Sequence, residues 1–144
     1  MPLSTPSRIV ASLVPIGLAF AAPAQAAGSI LGEWVTQDRD AIIKISQCGA
    51  SVCGRIHKYL VTPPNGVGQK DINNPDKKLR NRTLLGTAIL TGFTPDGDIW
   101  RGKVYDPKTG KTYRSEVSLN SANSLKMKGC VAFLCQGQNW TRAK

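Results

Sequence analysis

Four cysteines stand in two equally spaced pairs, Cys48 with Cys53 and Cys130 with Cys135, with four residues between the members of each. Thiolates at such spacings can hold zinc, whereas oxidised thiols close short loops. The compartment decides between the two chemistries, and the amino terminus bears on it. Arg8 precedes an apolar run from Ile9 to Phe20, and small residues follow, ending in Ala24-Gln25-Ala26. A positive start, a short apolar stretch and an A-x-A site describe a secretory leader, with cleavage expected after Ala26. Residues 1–26 are thus expected to be a signal peptide and residues 27–144 a single exported domain, periplasmic or secreted. Pro15 and Gly17 interrupt the apolar run, which falls well short of the roughly 20 residues that span a bilayer, so no membrane-spanning segment is expected. An oxidising compartment favours disulfides over a zinc site. Four cysteines permit three pairings, and the equal local spacing, with Gly49 in the first loop and Gly129 beside the second, favours Cys48–Cys53 and Cys130–Cys135.

A second group of reactive side chains lies in residues 61–83. Asp71, Asn73 and Asp76 have the look of a calcium loop, but Pro75 stands where a further ligand is wanted, no Gly follows it, and Arg82 occupies the place of the bidentate Glu. Asx-turn hydrogen bonding accounts for them better. Lys77, Lys78, Arg80 and Arg82 place four cations in six residues. They read either as a solvated charge run or as a basic rim that takes a carboxylate or phosphate, with arginine supplying forked donors. His57, the single histidine, shares a strand face with Arg55 and Tyr59, and these three are candidates for meeting an anionic group. No second histidine completes a metal site and no Gly-x-Ser-x-Gly elbow accompanies it. Asp96 and Asp98 flank a turn and read as turn chemistry, not as a hydrolytic pair. A non-enzymatic protein without metal or cofactor is expected.

These residues must be carried by strands. After the leader no stretch shows a period of 3.6, whereas alternation recurs about every ten residues between Gly, Pro, Asn and Asp clusters. Tyr113, Ser115, Val117 and Leu119 share one face against Thr112, Arg114, Glu116 and Ser118, and this is the clearest strand. Leu125, Met127 and Gly129 against Lys126 and Lys128 make the next, and Trp100, Gly102 and Val104 alternate with Arg101 and Lys103. Residues 30–36, 41–46, 52–60, 84–93 and 135–142 supply five more. Short turns join neighbouring strands in an antiparallel meander, with one long loop over residues 61–83. An all-β, eight-stranded up-and-down barrel is expected, with a β-sandwich as the alternative. Gln136 and Gln138 share a face with Trp140, so an inward indole implies inward amides, and hence water, a polar network or a ligand inside the barrel.

Gly32-Glu33-Trp34 on the first strand and Trp140-Thr141-Arg142 on the last resemble the lipocalin-type, or calycin, arrangement, in which an early Gly-x-Trp packs beneath a barrel and a late Arg crosses the indole. Nearly the whole mature chain also resembles a family of small exported bacterial proteins catalogued only as a domain of unknown function. The matching residues are Cys48-Gly49 with Cys53-Gly54-Arg55-Ile56, Asp71 with Asn74-Pro75, Leu79-Arg80-x-Arg82, Gly86, Trp100-x-Gly102, Tyr105-Asp106-Pro107 with Gly110-Lys111-x-Tyr113, and Gly129-Cys130. The resemblance implies a lipocalin-like barrel in which Gly32, Trp34, Trp140 and Arg142 are structural, and it brings no activity. A Trp34–Arg142 cation–π pair would tie the first strand to the last.

The chain carries 19 Lys plus Arg against 9 Asp plus Glu, and loss of Arg8 with the leader leaves 18 against 9, a formal +9. Such an excess favours anionic partners, while no nucleic-acid-binding motif is legible. Two functions fit. One is a carrier of a small amphipathic ligand, its apolar walls drawn from Val104, Val117, Leu119, Leu125 and Met127 and its anionic end met by Arg55, His57, Arg80 or Arg82, with Tyr59 and Gln138 nearby. The other is an envelope-interaction protein with a filled barrel, whose outer face of Arg101, Lys103, Arg114, Lys126 and Lys128 binds lipid head groups or an acidic partner. An internal cavity favours the first and a solid core the second.

Overall fold

The computed structural model describes residues 28–144, and the expected leader over residues 1–26 lies outside the described residues. The strands are β1 (Gly32–Val35), β2 (Ala41–Cys48), β3 (Ser51–Tyr59), β4 (Ala88–Asp96), β5 (Ile99–Asp106), β6 (Lys111–Ser121), β7 (Ser124–Val131) and β8 (Leu134–Arg142). Each pairs antiparallel with its sequence neighbour and β1 pairs with β8, which closes the barrel in meander order. The expected all-β, eight-stranded architecture is the one observed. Alternation explains it: Ser115 and Val117 of β6 are buried while Arg114 before them is exposed and Glu116 between them is only half-buried, as a strand with one face on the core requires. Among the described residues no helix is long and apolar enough to cross a membrane.

Most strand ends shift by one to three residues from expectation, and two of the differences have clear local reasons. Residues 84–87 do not begin β4, because Thr87 N–H turns back to the Leu84 carbonyl, and the Gly86 N–H and Thr87 carbonyl both bond to Ile56. The first strand stops at Val35, because the Thr36 hydroxyl donates to Asp40 Oδ1 at 2.5 Å and fixes a tight β1–β2 turn. The long connection therefore spans residues 60–87 and includes a 3-10 turn at Lys77–Leu79.

In a closed meander, successive turns alternate between the two ends. One end carries the chain entry and the β2–β3, β4–β5 and β6–β7 turns, and it is sealed. Trp34 is wholly buried there, and its Nε1 donates to the Ile30 carbonyl at 2.8 Å. The Arg142 guanidinium lies over the indole, Cζ 4.2 Å from a ring centroid, and donates to the carbonyls of Ala122, Leu31 and Ser29 at 2.9, 3.0 and 2.9 Å. One side chain thereby joins the entering segment, the β6–β7 turn and the last strand. Gly32 permits it: at φ 125° it occupies backbone space that favours glycine, and a Cβ there would sit 2.6 Å from the guanidinium.

Cys48 is bonded to Cys53 and Cys130 to Cys135, the pairing that local spacing favours. The first bridge clamps the β2–β3 turn and the second the β7–β8 turn, so each end of the barrel carries one.

Candidate functional site

The other end of the barrel is formed by the β1–β2, β5–β6 and β7–β8 turns and is spanned by the 60–87 loop. Beneath that loop lies a cavity of about 500 Å³. Its floor and walls are the apolar side chains of Ala41, Ile43, Ile56, Leu84 and Ile89 with the Tyr59 ring, and Val61, Pro63 and Pro64 of the loop overhang it. Lys70, Lys108, Asp40 and Asp106 border it as the charged groups of the rim. Both acids already accept hydrogen bonds within their own turns, Asp40 from Thr36 and Asp106 from the Lys108 N–H and the Thr109 hydroxyl. The Lys70 ammonium donates to the Thr83 hydroxyl at 3.3 Å. A chamber of this size, apolar at its floor and bordered by polar side chains, has the form of a small-molecule site.

The loop is held over the cavity by a polar knot that sequence reasoning missed. Asp71 is 0% exposed. Its Oδ1 accepts from the Tyr105 hydroxyl at 2.5 Å, and its Oδ2 accepts from Asn74 Nδ2 at 2.8 Å and from Arg82 at 2.9 Å through Nε and 2.8 Å through Nη2. Asn73 adds a second tie, its amide donating to the carbonyls of Pro107 and Lys108 at 3.0 and 3.1 Å in the β5–β6 turn. Expected Asx turns do occur in the same loop, where Asn74 Oδ1 and Asp76 Oδ1 accept the N–H groups of Asp76 and Lys78. The signal for the knot was present as Asp71, Asn74, Arg82 and Tyr105, all residues of the family resemblance, but nothing in their spacing brings them together.

Burial pushes the Asp71 carboxyl upward, but the hydrogen bonds from Tyr105, Asn74 and Arg82 and the charge of Arg82 outweigh it and hold the group below the ordinary carboxylate range. Burial and the bond to Asp71 push the Tyr105 hydroxyl up to about 12. The two groups set opposite limits. Asp71 releases its proton more readily when folded, so its contribution is complete above the ordinary carboxylate value near 3.9 and is lost as pH falls through the folded value. Tyr105 keeps its proton when folded, so its contribution is complete below about 10 and is lost as pH rises towards about 12. Melting temperature measured across pH 9 to 12 should fall more steeply for the native chain than for Tyr105→Phe. Parallel curves would remove Tyr105 from the knot.

Of Arg55, His57, Tyr59, Arg80, Arg82 and Gln138, only Tyr59 borders this cavity, and its hydroxyl accepts from Gln69 Nε2 at 3.1 Å. Arg82 is committed to Asp71, and Arg80 Nε donates to the Asn74 carbonyl at 2.7 Å, so neither arginine forms a free rim. Arg55 and His57 face outward from β3. Arg55 donates to the Gly86 carbonyl at 3.2 Å, His57 Nε2 lies 3.4 Å from Glu33, and both border a separate outer hollow of about 230 Å³ with Lys44 and Ser46. Gln138 is exposed and accepts from Trp140 Nε1 at 3.0 Å. It shares the face of Trp140, but β1 meets β8 only at Trp34–Arg142 and Val35–Thr141, so no strand runs alongside β8 beside Gln138 or Gln136. The inward amides expected from the alternation are therefore surface groups.

The expected walls also differ. Val117, Leu125 and Met127 are buried in the core with Trp34, Phe93 and Trp140, and neither they nor Val104 and Leu119 border the cavity. The chamber lies instead against β2, β3 and β4. On the outer face, Arg101 is paired with Asp96 and Glu116, each at 2.5 Å, which neutralises part of the basic stripe. Among the described residues no cluster of His, Cys, Asp or Glu is arranged to hold a metal ion.

A closed eight-strand meander, sealed at a Gly-x-Trp strand and hollow at its opposite end, defines a lipocalin-like barrel. HP1028 from Helicobacter pylori, described as belonging to the lipocalin family, is similar in structure with a TM-score of 0.70 and 22% sequence identity, over 81% of this chain and 84% of that one. The chain belongs to the family of uncharacterised proteins conserved in bacteria, DUF2147, which it matches over residues 32–142. No curated protein matches the chain.

Proposed function

We propose that this domain is an exported, non-enzymatic binding protein that holds one small amphipathic molecule in the mouth of its barrel, in the periplasm or outside the cell. The observation that carries the reading is the cavity of about 500 Å³ beneath the 60–87 loop, because eight-stranded barrels either fill their interior with side chains or keep room for one ligand. The apolar body of the ligand lies against Ile43, Ile56, Leu84 and Ile89. Its polar end meets Lys70 and Lys108, which replace the arginines as the groups able to receive an anion. The two disulfides fit the oxidising compartment that this role requires.

Native mass spectrometry of the protein isolated undenatured from its own host is expected to show an added small-molecule mass. Ile89→Trp, which fills the chamber from a half-buried position, should weaken titration of a long-chain fatty acid by at least about tenfold while leaving the melting temperature within a few degrees. If no mass is retained and no amphiphile titrates, the carrier reading fails.

A further inference from the structure

The mouth end of the barrel carries apolar side chains that the fold does not use. At the tip of the β7–β8 hairpin Val131, Phe133 and Leu134 are 60%, 91% and 71% exposed. Leu60, Val61 and Ile72 of the loop spanning the same end are exposed as well. Burying such groups is favourable, and a patch left in water on one end of a molecule marks a surface that meets something else. The tip is also stiff: the Cys130–Cys135 bridge clamps it, and Arg114 donates to the Ala132 carbonyl inside the turn. A clamped turn loses little freedom when its side chains are buried in a second phase.

Cations outnumber acids around the tip, where Glu116 lies across from Lys128 and Asp106 across from Lys111. From Ser124 to Arg142 the hairpin has no acidic residue, and Lys126 and Lys128 stand on its outer face. Lys103 lies directly across from Arg114, and Arg114 across from Cys130, while the adjacent β5–β6 turn carries Lys108 and is flanked by Asp106 and Lys111. An apolar tip with an excess of cations around it complements a bilayer whose surface is negative and whose interior is apolar. A protein partner would need a face shaped to two separate loops, whereas a fluid bilayer takes their apolar groups without one.

We infer that the mouth end docks on an anionic phospholipid bilayer, with Phe133 and Leu134 of the disulfide-clamped hairpin entering the lipid and the surrounding lysines and Arg114 lying at the head groups. Docked in this way, the barrel turns its cavity towards the membrane. The inference does not require the cavity to be occupied, so it stands or falls separately from the carrier reading.

The test is sedimentation with vesicles of phosphatidylcholine alone and of phosphatidylcholine mixed with phosphatidylglycerol. The native chain should sediment with the mixed vesicles and not with the neutral ones. The double variant Phe133→Ser/Leu134→Ser should bind at least about tenfold more weakly with an unchanged melting temperature, because these side chains contribute to membrane burial and not to the core. Phe133→Trp provides a direct reading, with its added emission shifting to the blue on mixed vesicles and being quenched by brominated acyl chains. The inference is overturned if the native chain does not sediment with anionic vesicles, if the double variant binds as well as the native chain, or if the tip tryptophan is neither shifted nor quenched.

Discussion

Trp34→Ala is expected to lower unfolding free energy by about 3–5 kcal/mol, the range for truncating a buried tryptophan. The indole is fully buried at the sealed end, and its Nε1 satisfies the Ile30 carbonyl, so the variant loses packing and orphans an acceptor together. Arg142→Ala should cost less, since its guanidinium partners are carbonyls that water can reach. The two changes should not add. Stacking of Arg142 on the ring at 4.2 Å gives an expected coupling of about 1 kcal/mol in a urea-unfolding double-mutant cycle. Arg142→Lys should fail to restore it, because an ammonium can neither stack flat nor reach three carbonyls at once. Strict additivity in the cycle would remove the pairing.

This end of the molecule was legible because its parts carry local signals. Gly32-x-Trp34 and Trp140-x-Arg142 mark two strands that a closed meander must bring together, and each disulfide joins residues close enough in the chain to need no knowledge of topology. The interior was legible in direction and not in height. Period-two alternation placed Val117, Leu125 and Met127 inward, where they are, but alternation is blind to position along the barrel axis. The chamber lies against Ile43, Ile56 and Ile89, while Val117, Leu125 and Met127 are packed with Trp34, Phe93 and Trp140. Gln138 shows the complementary limit. It shares a strand face with Trp140, yet burial also depends on the strand alongside, and β1 ends at Val35 before it could cover Gln138. The cation run was opaque for a different reason, since Arg82 looks the same in sequence whether it is solvated, lines a rim or answers a buried acid eleven residues earlier. Only closure of the 60–87 loop onto β5 selects among these.

That closure makes Asp71 the side chain on which loop and cavity jointly depend. Asp71→Ala leaves Tyr105, Asn74 and Arg82 facing an empty site, and breaking a buried pair by removing one partner typically costs about 3–5 kcal/mol. Arg82 is partly exposed and can turn to water, which places the expected loss near the lower end, about 3 kcal/mol. Asp71→Asn retains an acceptor for Tyr105 but removes the charge that Arg82 answers, so it should recover only part of the loss. The effect should also be local before it is global. Amide exchange in residues 60–87 is expected to accelerate more than exchange in β6 and β7, because those strands keep all their ladder partners while the loop loses its buried anchor. With the loop released, titration of an amphiphile should weaken even at temperatures where the barrel stays folded. Uniform acceleration across loop and strands would show instead that Asp71 supports the barrel as a whole, and the loop would then need another anchor, of which the Asn73 bonds to Pro107 and Lys108 are the nearest candidate.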